Sequence, residues 1–444
     1  MDTLTVLDYF IFFCVLLLTL ISVFIGQKNK TSHDFLDHLL MGRRLTLPLF
    51  VATLVATWYG GIFGVAEIAF NEGLYNFLTQ GIFWYGSYLV FAFLILPKIN
   101  QQKHATLANL INSEIGETAG KWASIVNIMN LLPLAYIVSL GKFLNLVFQV
   151  HESTGMMIGT AIVLSYSLIG GFRSVVFSDI IQFFVMVTSV VLVFIFSLSQ
   201  LGLEALNTLP EHYFSFSGKT NSLSETLMWG FIAFGTLVDP NFYQRSYSAK
   251  SPSIAQKGIL ISILVWVVFD ISLTLGAMFA ASAGSSDYFA FSLSTLPVGL
   301  KGFFLAGILA TILSTLDSYF FLAGATLSHD YLNKKNIKAQ RKSILIIASI
   351  SLVLALFSSG SIKNIWSTFG SISTAALLSP MLFYYWKGGL GQKTFLISSA
   401  AGATTTILAY TYKSIEGYPG LEPIYFGIFA SAVLLFIPIE KRAR

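Results

Sequence analysis

Charge and cysteine are what this chain of 444 residues has least of. Aspartate, glutamate, lysine and arginine make up 11% of it, against about 25% in soluble domains. So few charges cannot clothe a water-facing surface. With 55% hydrophobic residues and a mean hydropathy of +0.74, the composition is that of a polytopic membrane protein. One cysteine, Cys14, excludes an internal disulfide and a cysteine metal cluster. The six histidines fall mostly in loops, without the spacing of a catalytic metal site. No glycine loop resembles a phosphate cradle, which argues against ATP-driven transport. Two intramembrane acids bring an aspartyl protease to mind, but neither has the Gly-x-Gly-Asp context, so no enzyme is expected.

What is present is apolar run after apolar run. Windows of ~20 residues give about thirteen spans. They cover 5–25, 46–70, 75–96, 122–148, 154–170, 174–201 and 225–244, then 258–283, 299–329, 344–358, 364–386, 394–412 and 421–438. The first lacks a basic leader and a cleavage site, so a retained helix is expected there. Of the 26 basic residues, 21 fall in alternate loops, Arg245 counted among them. This bias places the N-terminus outside and the C-terminus in the cytoplasm of a plasma (inner) membrane, and it explains the net charge of +5 without a nucleic-acid partner.

Two spans are interrupted. "ATWYGGIFG" (56–64) has paired glycines at mid-span, and "FGTLVDPNF" (234–242) has Gly235 followed by Asp239-Pro240. Glycine weakens a helix and proline removes a donor, so both segments are expected to unwind. Five spans separate the breaks; five is odd, so the second set lies upside down relative to the first. Paired breaks in inverted halves point to a secondary transporter's binding site. Glycines also let helices pack closely, and proline kinks are common in membranes.

The ninth span contains "LATILSTLDSYFFLAG" (309–324). A carboxylate at mid-bilayer costs roughly 2.5–3.5 kcal/mol, so Asp317 needs a compensating partner. Ser314, Asp317 and Ser318 stand at i, i+3 and i+4, on one helical face. Thr311, Ser314, Thr315 and Ser318 form an overlapping hydroxyl stripe. Such oxygens, with carbonyls of an unwound segment, suit a small hard cation. Hydroxyls also bond the carbonyl one turn back and hold helices together. A second acid, Asp179, lies with Gln182 inside "GGFRSVVFSDIIQFF" (170–184).

Three motifs resemble the sodium:solute symporter family. "GGFRSVVFSDIIQ" is similar to the family's core helix 5, "QRSYSAKSPSIAQKG" (244–258) to the segment between core helices 6 and 7, and "STLDSYFFLAGATLSHDYL" (314–332) to core helix 8. The resemblance implies an all-α fold of leucine-transporter type, a five-plus-five inverted repeat with one helix before and two after. The corresponding divisions are 1–45, 46–202, 203–387 and 388–444. It also implies Na+ as coupling ion, held by the carbonyls of Ala56 and Tyr59 with Thr311, Ser314 and Thr315. A second sodium, or a proton, would use Asp179, Ser314, Asp317 and Ser318; many relatives carry a small or hydroxyl residue where this chain has Asp317.

The expected solute pocket lies between the breaks, with Trp58, Phe63, Glu67, Gly235 and Asp239. "ATWYGG…GVAE" is similar to the choline-transporter branch, where a tryptophan at the position of Trp58 helps cage a quaternary ammonium. Cation–π attraction and nearby acids favour an ammonium or amine solute, with an amino acid or carboxylate next. Trp266 stands where sugar-transporting relatives place a polar contact, which argues against sugars. Lys142 is a candidate for a substrate carboxylate, and equally for snorkelling or for pairing with Asp179 or Asp239. Asp270 has no evident partner. The expected function is sodium-coupled import of a small organic solute by alternating access. The alternatives are proton coupling on the same fold, and a transporter-like sensor acting with a separate partner.

Overall fold

The computed structural model describes residues 4–28, 34–99, 103–358, 360–416 and 420–437. Lys30, Lys441, Arg442 and Arg444, counted above among the cytoplasmic basic residues, lie outside them. The regular secondary structure of the described residues is helical, apart from one isolated bridge. In chain order the principal helices begin with α1 (Val6–Lys28), α2 (Leu47–Ala56), α3 (Ile62–Glu72) and α4 (Leu74–Lys98). Next come α5 (Leu107–Glu114), α6 (Glu117–Asn130), α7 (Leu134–Phe148), α8 (Glu152–Ser167) and α9 (Phe172–Leu201). After the loop that follows α9 come α10 (Leu223–Phe234), α11 (Pro240–Ser248), α12 (Pro252–Ser282), α13 (Tyr288–Thr295) and α14 (Leu300–Ala325). The chain continues through α15 (Ile337–Leu356), α16 (Ile362–Lys387), α17 (Gln392–Glu416) and α18 (Pro423–Leu434).

Helix occupies every apolar window of the sequence, and among the described residues 7 helical segments are by themselves long and apolar enough to cross a membrane. Burial orders them. The most apolar window of the segment that includes α14 is 100% buried, so α14 is the central post of the bundle. In contrast, α1 turns Phe10, Phe13, Leu17, Leu18 and Phe24 outward and packs its other side on α9 and α14. An apolar outer face of this kind is stable only in lipid.

Both expected interruptions are present. Helix α2 stops at Ala56 and α3 starts at Ile62, leaving Thr57–Gly61 unwound. Helix α10 passes into a tight turn over Gly235–Val238, and Asp239 then caps α11. Its Oδ1 accepts from the backbone N–H groups of Asn241 (2.7 Å) and Phe242 (3.3 Å). Proline at the next position loses nothing, because that N–H has no helical partner in any case. The start of the first broken span and the end of the second meet: Leu45 N–H donates to Ser248 (3.0 Å) and Lys250 N–H to Leu45 (3.0 Å). A further break separates α6 from α7 at Leu131–Pro133, inside the window read as one span.

Helix α11 corrects the loop assignment of Arg245. Every residue of Pro240–Ser248 is buried, although the segment is among the most polar in the chain. Several of its side chains bond one another or their neighbours. Tyr243 donates to the Leu237 carbonyl (3.0 Å), Gln244 to Leu39 (3.2 Å), and Ser248 to Gln244 (2.7 Å).

Candidate functional site

The glycines at the first break permit a close approach. A Cβ on Gly60 would lie 2.5 Å from Thr315 Cβ, and one on Gly61 would lie 2.0 Å from the Trp366 ring. The unwound backbone is therefore pressed against α14 on one side and α16 on the other. Ser314 Oγ sits 2.7 Å from the Ala56 carbonyl oxygen, which α2 leaves without an intrahelical partner. Thr311 donates to Ile308 (2.7 Å) and Thr315 to Thr311 (2.9 Å). Both threonine hydroxyls spend their hydrogen on α14 and keep their lone pairs, which are what a cation takes. Ala56, Thr311, Ser314 and Thr315 are all buried, and Tyr59 is 2% exposed. This set of hard oxygens fits an alkali ion. Among the described residues no group of three or more histidine, cysteine or acidic side chains could hold a transition metal.

The four residues expected for a second ion are placed differently. Ser167 on α8 donates to Asp317 and draws it to one side of α14. Thr53 on α2 donates to Asp179 Oδ2 (2.5 Å). Ser314 is engaged with Ala56, and Ser318 Oγ accepts from Arg245 Nη2 (3.2 Å). The same nitrogen donates to Thr57 Oγ1 (2.5 Å), and Arg245 Nε donates to the Thr53 carbonyl (3.3 Å). Asp179 and Ser318 thus reach the end of the broken span separately, one through Thr53 of α2 and one through Thr57 of the unwound stretch, without forming a single oxygen shell.

Between the two breaks lies a cavity of about 120 Å³. Its walls are aromatic: Trp58, Tyr59, Trp84, Tyr136, Trp229, Tyr319 and Trp366, with Gln80, Asn127, Asn130 and Ser373 as polar points. Asp239 is the one charged residue on that wall among the described residues. Trp58 and Trp84 meet edge to face at 4.7 Å, and Tyr136 meets Tyr319 at 4.8 Å.

Of the residues expected to contact solute, Trp58, Gly235 and Asp239 line this cavity. The other candidates do not. Phe63 stacks on Phe289 (4.2 Å), Glu67 is exposed, and Trp266 stands behind Trp58 at 6.0 Å, so it shapes the wall from the second row. Lys142 is half-buried on α7 and is not part of the lining. Asp270, for which the sequence suggested no partner, accepts hydrogen bonds from Tyr59 and Tyr85, one on each oxygen. Sequence reasoning missed Trp84, Trp229, Trp366, Tyr136 and Tyr319. Their shared signal is an aromatic side chain within a helix that also carries polar residues.

Comparison with known proteins agrees with this geometry. The profile of the sodium:solute symporter family matches residues 38–388. The osmoregulated proline transporter OpuE of Bacillus subtilis is 25% identical, over 93% of this chain and 91% of its own. The high-affinity choline transporter 1 of Drosophila melanogaster is 24% identical over 54% of this chain, which corresponds to 40% of the fly protein. Among solved structures, a Na+-coupled sialic acid symporter in its substrate-bound outward-open state has a TM-score of 0.77 at 13% identity, covering 98% of this chain and 97% of that one. The protein is thus a multi-pass membrane transporter rather than an enzyme, with Na+ as coupling ion, and the chain belongs to the sodium:solute symporter family.

Proposed function

We propose that this transporter imports a small organic solute carrying an amine or ammonium group, driven by sodium entering with it. The ion is held by the Ala56 and Tyr59 carbonyls and by Thr311, Ser314 and Thr315. The observation that carries this reading is Ser314 Oγ at 2.7 Å from the carbonyl on which α2 ends. A cation there ties the unwound stretch to the central post, so ion binding and the shape of the adjacent cavity depend on each other. By linkage, solute that binds the same shape tightens sodium.

The solute class follows from the wall. Aromatic faces attract cations by roughly 0.5–2 kcal/mol each, and Asp239 supplies the only formal charge in the lining among the described residues. A cavity of about 120 Å³ suits a solute of a few heavy atoms; an engineered void of about 150 Å³ admits benzene. Choline and proline, the solutes named for two relatives, both carry a positive nitrogen.

The architecture proposed for this task is two inverted repeats, 46–202 and 203–387, with one helix before and two after and about thirteen spans in all. The N-terminus lies outside and the C-terminus in the cytoplasm, as the basic residues imply. Thermal unfolding of the purified protein tests the reading, with proline, choline, other amino acids and sugars added in sodium and in potassium. A ligand that binds only the native state raises its stability. The expected result is a shift with an ammonium solute that requires sodium. Shifts indifferent to sodium would contradict it.

A further inference from the structure

Besides the two breaks that bound the cavity, a third lies on its wall. Helix α6 ends at Asn130 and α7 begins at Leu134, and Asn127, Asn130, Leu132, Ala135 and Tyr136 around that gap all line the cavity. Pro133 makes the gap. It has no N–H for the Met129 carbonyl, and the Leu134 N–H turns back to Leu132 (2.9 Å). The start of α7 therefore stands at the wall, and among the described residues nothing accepts from the Ala135 N–H. Two amides join it. Asn127 is 2% exposed and makes no side-chain hydrogen bond among the described residues; its Oδ1 is shut away, so its NH2 is the end that meets the cavity. Ser373 of α16 donates to Asn130 Oδ1 (3.1 Å), which leaves the Asn130 NH2 as a donor.

We infer that the third break holds a carboxylate, so that the solute is a zwitterion, an amino acid or a betaine, rather than a plain amine. The inference rests on the amine reading of the same cavity. Both amide NH2 groups and the Ala135 N–H donate, and a carboxylate only accepts. The start of a helix is electropositive and suits an anion. Among the described residues no lysine or arginine lines the cavity, and Lys142, a candidate for this task on sequence grounds, is not on the wall. Neutral donors suffice because the solute brings its own cation, which Asp239 and the aromatic faces engage, so the bound molecule adds no net charge to a buried place. An amine without the acid leaves these donors unmatched, and a buried polar group without a partner weakens binding.

Thermal unfolding of the purified full chain in sodium tests this with matched ligands of which only one carries the acid: proline against pyrrolidine, alanine against ethylamine, glycine betaine against choline. In at least one pair the acid is expected to bind about 10- to 100-fold tighter than its partner. Asn127→Leu keeps the size and removes the donor, and is expected to shrink that ratio. Asn127→Asp puts a repelling charge in its place, and is expected to reverse the preference. Acids that bind no tighter than their partners in every pair, or a ratio unmoved in both variants, overturn the inference and leave the amine reading standing. Should the variants fail to fold, the wild-type pairs decide. If no ligand of the set gives a sodium-dependent shift, the amine reading itself is defeated, and this inference with it.

Discussion

The phenol of Tyr59 donates to Asp270, joining the unwound Thr57–Gly61 stretch to the middle of α12, and Tyr85 of α4 donates to the other carboxylate oxygen. The Tyr59 ring is also stacked on Phe269 at 4.3 Å. A fully buried carboxylate thus serves as the anchor of a segment that has no helix to hold it. Tyr59→Phe keeps the stack and removes one donor from a buried acceptor, a loss of about 1.5–3 kcal/mol where the group is charged. The expected outcome is a lower unfolding midpoint and a higher half-saturation for sodium, with Tyr85→Phe affecting stability but sodium less. Sodium titrations of both variants check it; equal effects on sodium would remove the special role of the unwound stretch.

Gly60 and Gly61 are predicted to be intolerant of any side chain. Their Cβ positions fall on Thr315 and Trp366, whereas a Cβ on Gly86 meets nothing within 4 Å. Overpacking of this kind costs about 1–3 kcal/mol, or roughly 5- to 150-fold in an equilibrium. Gly60→Ala is expected to weaken sodium binding and Gly61→Ala solute binding, with Gly86→Ala as the harmless control, all measured by ligand-induced thermal shifts.

The aromatic wall gives a graded prediction. Trp58→Ala removes one face, worth about 0.5–2 kcal/mol for a cation, and should raise the solute half-saturation about 2- to 30-fold at saturating sodium. Trp266→Phe, one row behind, should change it less. Competition uptake in proteoliposomes measures both. If Trp266 proved the more sensitive, the solute would sit elsewhere.

At the far end of α5, Lys103 donates to Glu114 and holds its carboxyl below the usual glutamate range, against the opposing effect of burial. A depressed folded-state value contributes stability at neutral pH and loses it as the pH falls below the unfolded value, about 4.3. The pair is largely exposed, so the effect is under about 1 kcal/mol. Unfolding midpoints of wild type and Glu114→Gln should differ at neutral pH and converge only as the pH falls below about 4.

Some of this was legible from the chain alone. The hydroxyls and Asp317 of α14 stand out because they interrupt a long apolar run, and the two breaks show because Gly60-Gly61 and Asp239-Pro240 are poor in any helix interior. Arg245 was not legible. It follows an apolar window within a short polar segment that reads as loop, and its burial depends on Thr53, Thr57 and Ser318, far away in sequence. Phe63 and Glu67 were misplaced for a related reason. Five unwound residues erase the helical phase between α2 and α3, so no periodicity says which way α3 faces. Pro133, in turn, divides a window whose hydropathy is continuous.

The central claim is that sodium binds between the end of α2 and the Ser314 turn and drives solute entry. Uptake into proteoliposomes, driven by an imposed sodium gradient, tests it most directly in wild type and Ser314→Ala reconstituted at equal density. The account predicts accumulation in wild type that stops when potassium replaces sodium, and none above background in Ser314→Ala. Accumulation that persists without sodium, or survives unchanged in Ser314→Ala, would contradict it.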